Sequence, residues 1–252
     1  MRHSDKFAAM NVDLHWLERT ALLIGEDDIQ RLQQRHVLIV GMGGVGSYAA
    51  EFVCRAGVGS MTIVDGDIVD ITNKNRQLPA LSSTVGKGKA AWMAERLLDI
   101  NPKLQLKVID QFQRPDDTRA LVRDGNFDFV MDCIDSITPK LFLIEAALQK
   151  GVPVISSMGA GGKTDPWKMK VGDISQTKVC PFARNLRKRL RKMGIRGGVK
   201  AIWSEAPVVD SSLKLTDGNN FKKSFYGTIS FIPPLFGLLM AAEVVNSLRK
   251  GE

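Results

Sequence analysis

Cysteine is scarce in this chain, and no two cysteines come close. Only Cys54, Cys133 and Cys180 occur in 252 residues. The lack of any CxxC pair excludes a zinc ribbon and argues against a disulfide framework. A reducing cytoplasm is the simplest compartment. Histidine is equally sparse: His3, His15 and His36 form no cluster. Long unbroken hydrophobic runs are missing as well. The longest apolar tract, 229–245, is interrupted by Pro233 and Pro234 and holds Glu243. It is expected to form a buried C-terminal helix, not a membrane span. Residues 1–20 mix acids with bases and contain no apolar core segment, so no secretory signal is read there. Internal repeats and low-complexity segments are absent.

What remains is an ordinary globular composition with one charged anomaly. Hydrophobic residues make up 44% and charged residues 25%, which excludes a disordered chain. The formal net charge is +8. Residues 184–200 carry Arg184, Arg187, Lys188, Arg189, Arg191, Lys192, Arg196 and Lys200 and no acid, which leaves the rest formally neutral. A partner for this segment should be anionic. Phe182, Leu186, Leu190 and Met193 recur at helical spacing, so a helix over 181–193 should set an apolar face against the domain and a basic face to solvent.

The pattern along the chain predicts an α/β, Rossmann-like fold: a mostly parallel sheet flanked by helices, with an additional C-terminal strand and helix region. A strand at His36–Val40 leads into the glycine loop 41–47. A helix to Arg55 and a strand at Ser60–Val64 follow, and Asp65 closes the unit. The loop 66–83 is long and polar, which marks it as functional. Helices are expected over 86–100, 139–150 and 235–249. Further strands are expected at 104–109, 127–131, 152–156, 168–171 and 201–204. The chain is read as a single domain over 1–252, with a nucleotide-binding half to about residue 160 and a substrate-facing half beyond.

Gly41, Gly43 and Gly46 fit G-x-G-x-x-G between a strand and a helix, with Gly44 and Ser47 completing the candidate binding loop. Gly41 permits the tight turn, Gly43 lets the backbone approach a phosphate, and Gly46 lets the helix pack on the strand. The helix N-terminus offers free N–H groups to an anion. Asp65 is placed to accept hydrogen bonds from a ribose. These residues alone do not say which nucleotide binds.

The next residues narrow the choice. Asp67, Asn73, Asn75, Arg76 and Gln77 lie in the long loop, VGKGK ends at Lys89, and a later strand ends in DCID at Asp135. With GMGGVGS, these motifs resemble the adenylating domain of ubiquitin-activating-type enzymes and of bacterial activators of sulfur-carrier proteins, over most of 15–160. GAGGK at 159–163, followed by Asp165 and Pro166, resembles one branch more closely. Its members use ATP to cyclise threonylcarbamoyladenosine beside the tRNA anticodon.

The resemblance implies a role for each matching position. Asp65 would hold the ATP ribose, Asn73 and Arg76 would contact phosphates, and Lys89 the phosphates nearest the reacting centre. Asp67 joins this cofactor-binding set. Asp135 would hold Mg2+. Arg19 would reach the partner subunit's ATP in a homodimer. The basic segment also fits that branch, and its charge makes Arg187, Lys188, Arg191 and Lys192 the candidates for tRNA contact. Such roles suit the chemistry, because attack of a carboxylate on an α-phosphate brings two anions together and cations offset the repulsion.

Departures and alternatives bear on the reading. Activators of carrier proteins often use two zinc CxxC pairs, and some use a catalytic cysteine. Neither the pairs nor a need for a thioester is found here, so Cys54 and Cys133 are read as core, and Cys180 more as structural than nucleophilic. An NAD-dependent oxidoreductase would have no use for Arg76 and Lys89. A non-catalytic tRNA-binding module would not need Asp135. A sulfur-transfer partner protein and a monovalent cation are left open; the run 159–162 could expose carbonyls to such an ion. Trp167, Trp203, Phe182 and Tyr226 could stack on a base, with burial in the core as the default.

Overall fold

The computed structural model describes residues 12–215 and 224–250. Seven strands form one sheet in the order β3-β2-β1-β4-β5-β7-β6. They are β1 (His36–Val40), β2 (Ser60–Val64), β3 (Gln105–Ile109), β4 (Phe129–Asp132), β5 (Val154–Ser157), β6 (Met169–Asp173) and β7 (Lys200–Ser204). All pairings are parallel except β6 with β7, which is antiparallel. The order reverses between β1 and β4, and open α/β sheets bind ligands beyond the strand ends at such a point.

Helices α1 (Glu18–Ile24) and α2 (Glu26–Gln33) precede β1. They are followed by α3 (Gly46–Arg55), α4 (Lys89–Ile100), α5 (Pro115–Asp124), α6 (Ile137–Lys150), α7 (Pro181–Lys192) and α8 (Ile232–Lys250). Alternate residues of β1 feed two cores, as a pleated strand must. Val37 and Ile39 pack with α3, α4 and α8. Leu38 and Val40 pack with α5, α6 and α7. Burial on both faces explains why β1 is almost continuously apolar and β4 apolar up to its last residue. A short hairpin, β8 (Leu213–Leu215) with β9 (Ser224–Tyr226), stands apart.

Several boundaries differ from the sequence expectations. The C-terminal helix begins at Ile232, so Pro233 and Pro234 lie in its first turn. Proline is tolerated there because those N–H groups have no helical partner. Helix α4 begins at Lys89, not residue 86. Helix α5 is not among the helices expected from the sequence; Asp116 and Asp117 occupy its first turn, where acids suit the helix N-terminus. No helix among the described residues is long and apolar enough to cross a membrane.

Candidate functional site

The glycine loop joins β1 to α3 at the carboxyl end of the sheet. Gly41 has φ +97°, and a Cβ on it would stand 2.9 Å from the Cys133 carbonyl oxygen. Gly46 is tighter still: its Cβ would fall 1.7 Å from the Gly41 carbonyl oxygen. Gly43 differs, because a Cβ there would meet only the Gln77 amide, at 3.6 Å. Its backbone therefore faces room for a ligand. Gly44 packs against Pro233 of α8 and the Arg76 carbonyl. The Ser47 hydroxyl is fully buried and donates to the Gly43 carbonyl at 2.6 Å. It closes the loop instead of facing a ligand.

Asp65 follows β2 and is bound to the loop directly. Its carboxylate accepts the Met42 N–H at 2.6 Å and the Asp67 N–H at 2.7 Å. Burial pushes this carboxyl up, while the two N–H groups and the Lys89 charge oppose the rise. Each oxygen keeps a second lone pair for a ribose hydroxyl. Lys89 is the first residue of α4 and only 4% exposed. Its Nζ lies 3.0 Å from Asp67 Oδ2, so Asp67 anchors the lysine.

Arg76 hangs beside the loop from the turn Ile71–Asn73. Asn73 is buried, and its side-chain oxygen accepts the Asp70 N–H at 3.1 Å, which fixes that turn. Arg76 donates to the Thr72 carbonyl at 3.1 Å and to Asn75 Oδ1 at 2.7 Å. Burial lowers the Arg76 pKa, and the Asp135 charge opposes that shift. Asp135 itself is exposed, in the turn between β4 and α6. The turn abuts the glycine loop, since the spaces Gly41 and Gly46 leave open are lined by Cys133 and Ile134. Gly41, Gly43, Gly44, Gly46, Asp65, Asp67, Arg76, Lys89 and Asp135 thus come together around one strand-order reversal.

Arg19 does not join them. It is exposed on α1, just after Leu17, which packs on Gly57 before β2 begins. That is the amino end of the sheet, opposite the glycine loop. His15 and His36 lie at the same far end, and His3 is outside the described residues.

The expected amphipathic basic helix is present as α7. Ala183, Leu186 and Leu190 are buried, and Arg184, Lys188, Arg189, Arg191 and Lys192 are exposed. Arg187 is half-buried and donates to the Thr177 carbonyl at 2.8 Å and to the Thr177 hydroxyl. Lys200, at the end of the basic segment, pairs with Glu243 at 2.8 Å. In the run 159–162, the Gly162 carbonyl accepts the Val209 N–H at 2.8 Å. Cys54, Cys133 and Cys180 are free and buried. Burial pushes the Cys54 thiol up to about 12 and the Cys133 thiol also upward. Trp203 is core, as expected, but Trp167 is 89% exposed on a turn capped by Asp165.

Sequence reasoning missed two features. Gln77 turns its amide toward Gly43, and its Oε1 is buried without a hydrogen-bond partner. Lys140, Asp132 and Ser156 form a fully buried network under the Asp135 turn. The signal was available: Lys140 falls at helical spacing with Leu143, Ile144 and Ala147, on the core face of α6.

The chain resembles known proteins in both sequence and fold. A model of the ThiF family matches residues 17–251. The chain is similar to the tRNA threonylcarbamoyladenosine dehydratase of Bacillus subtilis (strain 168), with 41% identity over 244 residues, 94% of this chain and 96% of that protein. It is also similar to the crystal structure of Escherichia coli tRNA N6-threonylcarbamoyladenosine dehydratase in complex with ATP. The TM-score is 0.84 at 33% identity, covering 94% of this chain and 95% of that one. The complex of the same enzyme with AMP aligns with a TM-score of 0.85 at 34% identity, covering 94% and 96%.

Proposed function

The chain belongs to the ThiF family, and on that premise we propose that it catalyses ATP-dependent dehydration of threonylcarbamoyladenosine beside the tRNA anticodon. The observation that carries the proposal is the meeting of a ribose-type acid, Asp65, with Arg76, Lys89 and Asp135 around one glycine loop. A hydride-transfer enzyme needs the first of these and has no use for the rest.

The substrate carboxylate attacks the α-phosphorus of ATP, and pyrophosphate leaves. A nitrogen or oxygen of the same modified side chain then attacks the activated carbonyl. AMP leaves with the carboxylate oxygen, and the ring closes. Gly43 lets the phosphates approach the loop, while Arg76 and Lys89 offset charge on attacking and leaving groups. Holding both reacting ends in one site makes closure effectively unimolecular, so no cysteine thioester is required.

The residues present suit magnesium. Among the described residues no group of three His, Cys, Asp or Glu side chains could hold a metal ion. An ion at Asp135 would therefore take its other ligands from phosphate and water, as Mg2+ does beside nucleotides. When bound, it supplies charge neutralisation on the phosphates. No sulfur enters or leaves this reaction, so no sulfur-transfer partner forms part of the proposal. Cytoplasmic placement does, consistent with three free cysteines and an ATP-dependent step on tRNA.

The exposed basic face of α7 is the proposed tRNA arm. Each phosphate contact releases counterions and steepens the salt dependence of binding. Changing Lys188, Arg191 and Lys192 to Ala is expected to weaken tRNA binding and flatten its salt slope by about one unit per lost phosphate contact. ATP binding should be unaffected. An unchanged slope in a filter-binding salt titration would reduce α7 to a solvated face.

A homodimer with Arg19 acting across the interface completes the proposal, since Arg19 is remote from its own chain's loop and is followed by exposed Leu22 and Leu23. Mixing Arg19→Ala with Lys89→Ala chains should restore activity, because one site in each mixed dimer is then intact. Heterodimers without recovered activity would exclude action in trans. The activity as a whole is tested with α-labelled ATP offered with modified tRNA, with a carrier-protein tail ending in a free carboxylate, or with NAD and a reduced substrate. AMP and pyrophosphate should form with tRNA; formation only with the carrier tail would reassign the substrate.

A further inference from the structure

The buried network beneath the Asp135 turn has no assigned role. Lys140 and Asp132 are each 0% exposed, and Lys140 Nζ lies 2.7 Å from Asp132 Oδ2. The same ammonium donates to Ser156 Oγ at 3.1 Å and reaches the Asp132 carbonyl at 3.4 Å. Ser156 in turn donates to Asp132 Oδ2 at 2.7 Å. Oδ1 of Asp132 accepts the Ile134 N–H at 3.2 Å. Every N–H of the ammonium therefore has an acceptor, and both carboxylate oxygens are engaged. Burial pushes the Asp132 carboxyl up, and Lys140, Ser156 and the Ile134 N–H pull it back.

Such a pair is a poor source of stability, because desolvating two charges costs as much as or more than their attraction returns. Two apolar side chains would fill the space at least as favourably. What they would not do is tie three segments to one carboxylate. Asp132 ends β4, Ser156 lies beside it in register on β5, and Lys140 is in the first turn of α6. Ile134 and Lys140 flank Asp135 on both sides in sequence. The turn they hold also abuts Gly41 and Gly46.

We propose that Lys140, Asp132 and Ser156 form a positioning device that fixes the Asp135 carboxylate over the nucleotide loop. The device touches no substrate and acts through Asp135, so it rests on the reading of Asp135 as the metal-holding residue. Groups that orient a metal ligand typically carry a tenfold to hundredfold share of metal affinity.

The test uses Asp132→Leu with Lys140→Met, which leaves no unpaired buried charge, and Ser156→Ala as a milder variant should the double one fail to fold. The readout is Mn2+ affinity, by electron paramagnetic resonance, on the full chain with a non-hydrolysable ATP analogue. Affinity should fall about tenfold in the double variant and less in Ser156→Ala. Metal-free binding of the analogue, measured with chelator present, should not change. In an Asp135→Ala background the same substitutions should cause no further loss of Mn2+ affinity. Equal losses in both backgrounds would show a merely structural role and overturn the proposal. Unchanged Mn2+ affinity in a folded double variant, when Asp135→Ala alone lowers it, would overturn it too. If Asp135→Ala leaves Mn2+ affinity intact, the reading of Asp135 is the one that falls, and the device falls with it.

Discussion

Asp135→Ala is expected to lower AMP release by about a hundredfold or more in a protein that remains folded. The size of the effect follows from what surrounds the residue. Two anions, a carboxylate and a triphosphate, must meet near Arg76 and Lys89, and Asp135 is the exposed carboxylate of the adjoining turn. Without it, a cation on the phosphates would lose the protein ligand proposed for it, and the reacting charges would lose part of their screening. The fold should survive because an exposed side chain away from the core seldom contributes more than about 0.5 kcal/mol. A thermal melt and a quenched assay for labelled AMP give both numbers. Near-normal turnover with an unchanged melt would reject the assignment.

Gly46→Ala and Gly43→Ala should fail in different ways. An alanine Cβ at position 46 would fall 1.7 Å from a backbone oxygen of Gly41, and 2.9 Å from Cys133 Cβ. No flexible side chain is there to yield, so β1 and α3 must separate. Overpacking of this kind costs roughly 1–3 kcal/mol and sometimes more, and the loop proposed to receive the phosphates is deformed with it. At position 43 the new methyl meets only the Gln77 amide at 3.6 Å. The expected result is a lowered melting temperature and lost ATP binding for Gly46→Ala. Gly43→Ala should keep a near-normal melt and still bind ATP more weakly, because its methyl intrudes where a phosphate approaches. Calorimetric titration with ATP, alongside the melts, distinguishes them. Equal loss of stability in both would show that Gly43 is a packing residue like Gly46.

The elements before about residue 160 were legible because their signals are local. A strand buried on both faces, such as β1, is apolar along nearly its whole length, a glycine loop has fixed spacing, and an acid closing the next strand completes the pattern. Helix α5 escaped notice because it buries little more than Thr118 and Val122, too thin a stripe to show a period. The hairpin β8–β9 escaped for a related reason: all of β8 is exposed, so no face alternates. Trp167 was misjudged because residue type reports average burial, whereas its 89% exposure depends on where the turn after β5 ends up. The resemblance assigned Arg76 to its own chain's ATP and Arg19 to the partner subunit's. The fold puts them at opposite ends of the sheet, a separation that no local pattern encodes. Lys140 shows the reverse case: a charge on the apolar face of a helix is a local sign of a buried partner, here Asp132 eight residues earlier, and that sign went unread.

The most direct test of the account is a single incubation of the full chain with ATP, magnesium and tRNA carrying threonylcarbamoyladenosine, followed by nucleoside mass spectrometry. The account predicts that the modified nucleoside loses the mass of one water, that one AMP and one pyrophosphate appear per nucleoside converted, and that omitting ATP abolishes all three. ATP turned over to AMP with the nucleoside mass unchanged, or the nucleoside converted without ATP, would contradict it.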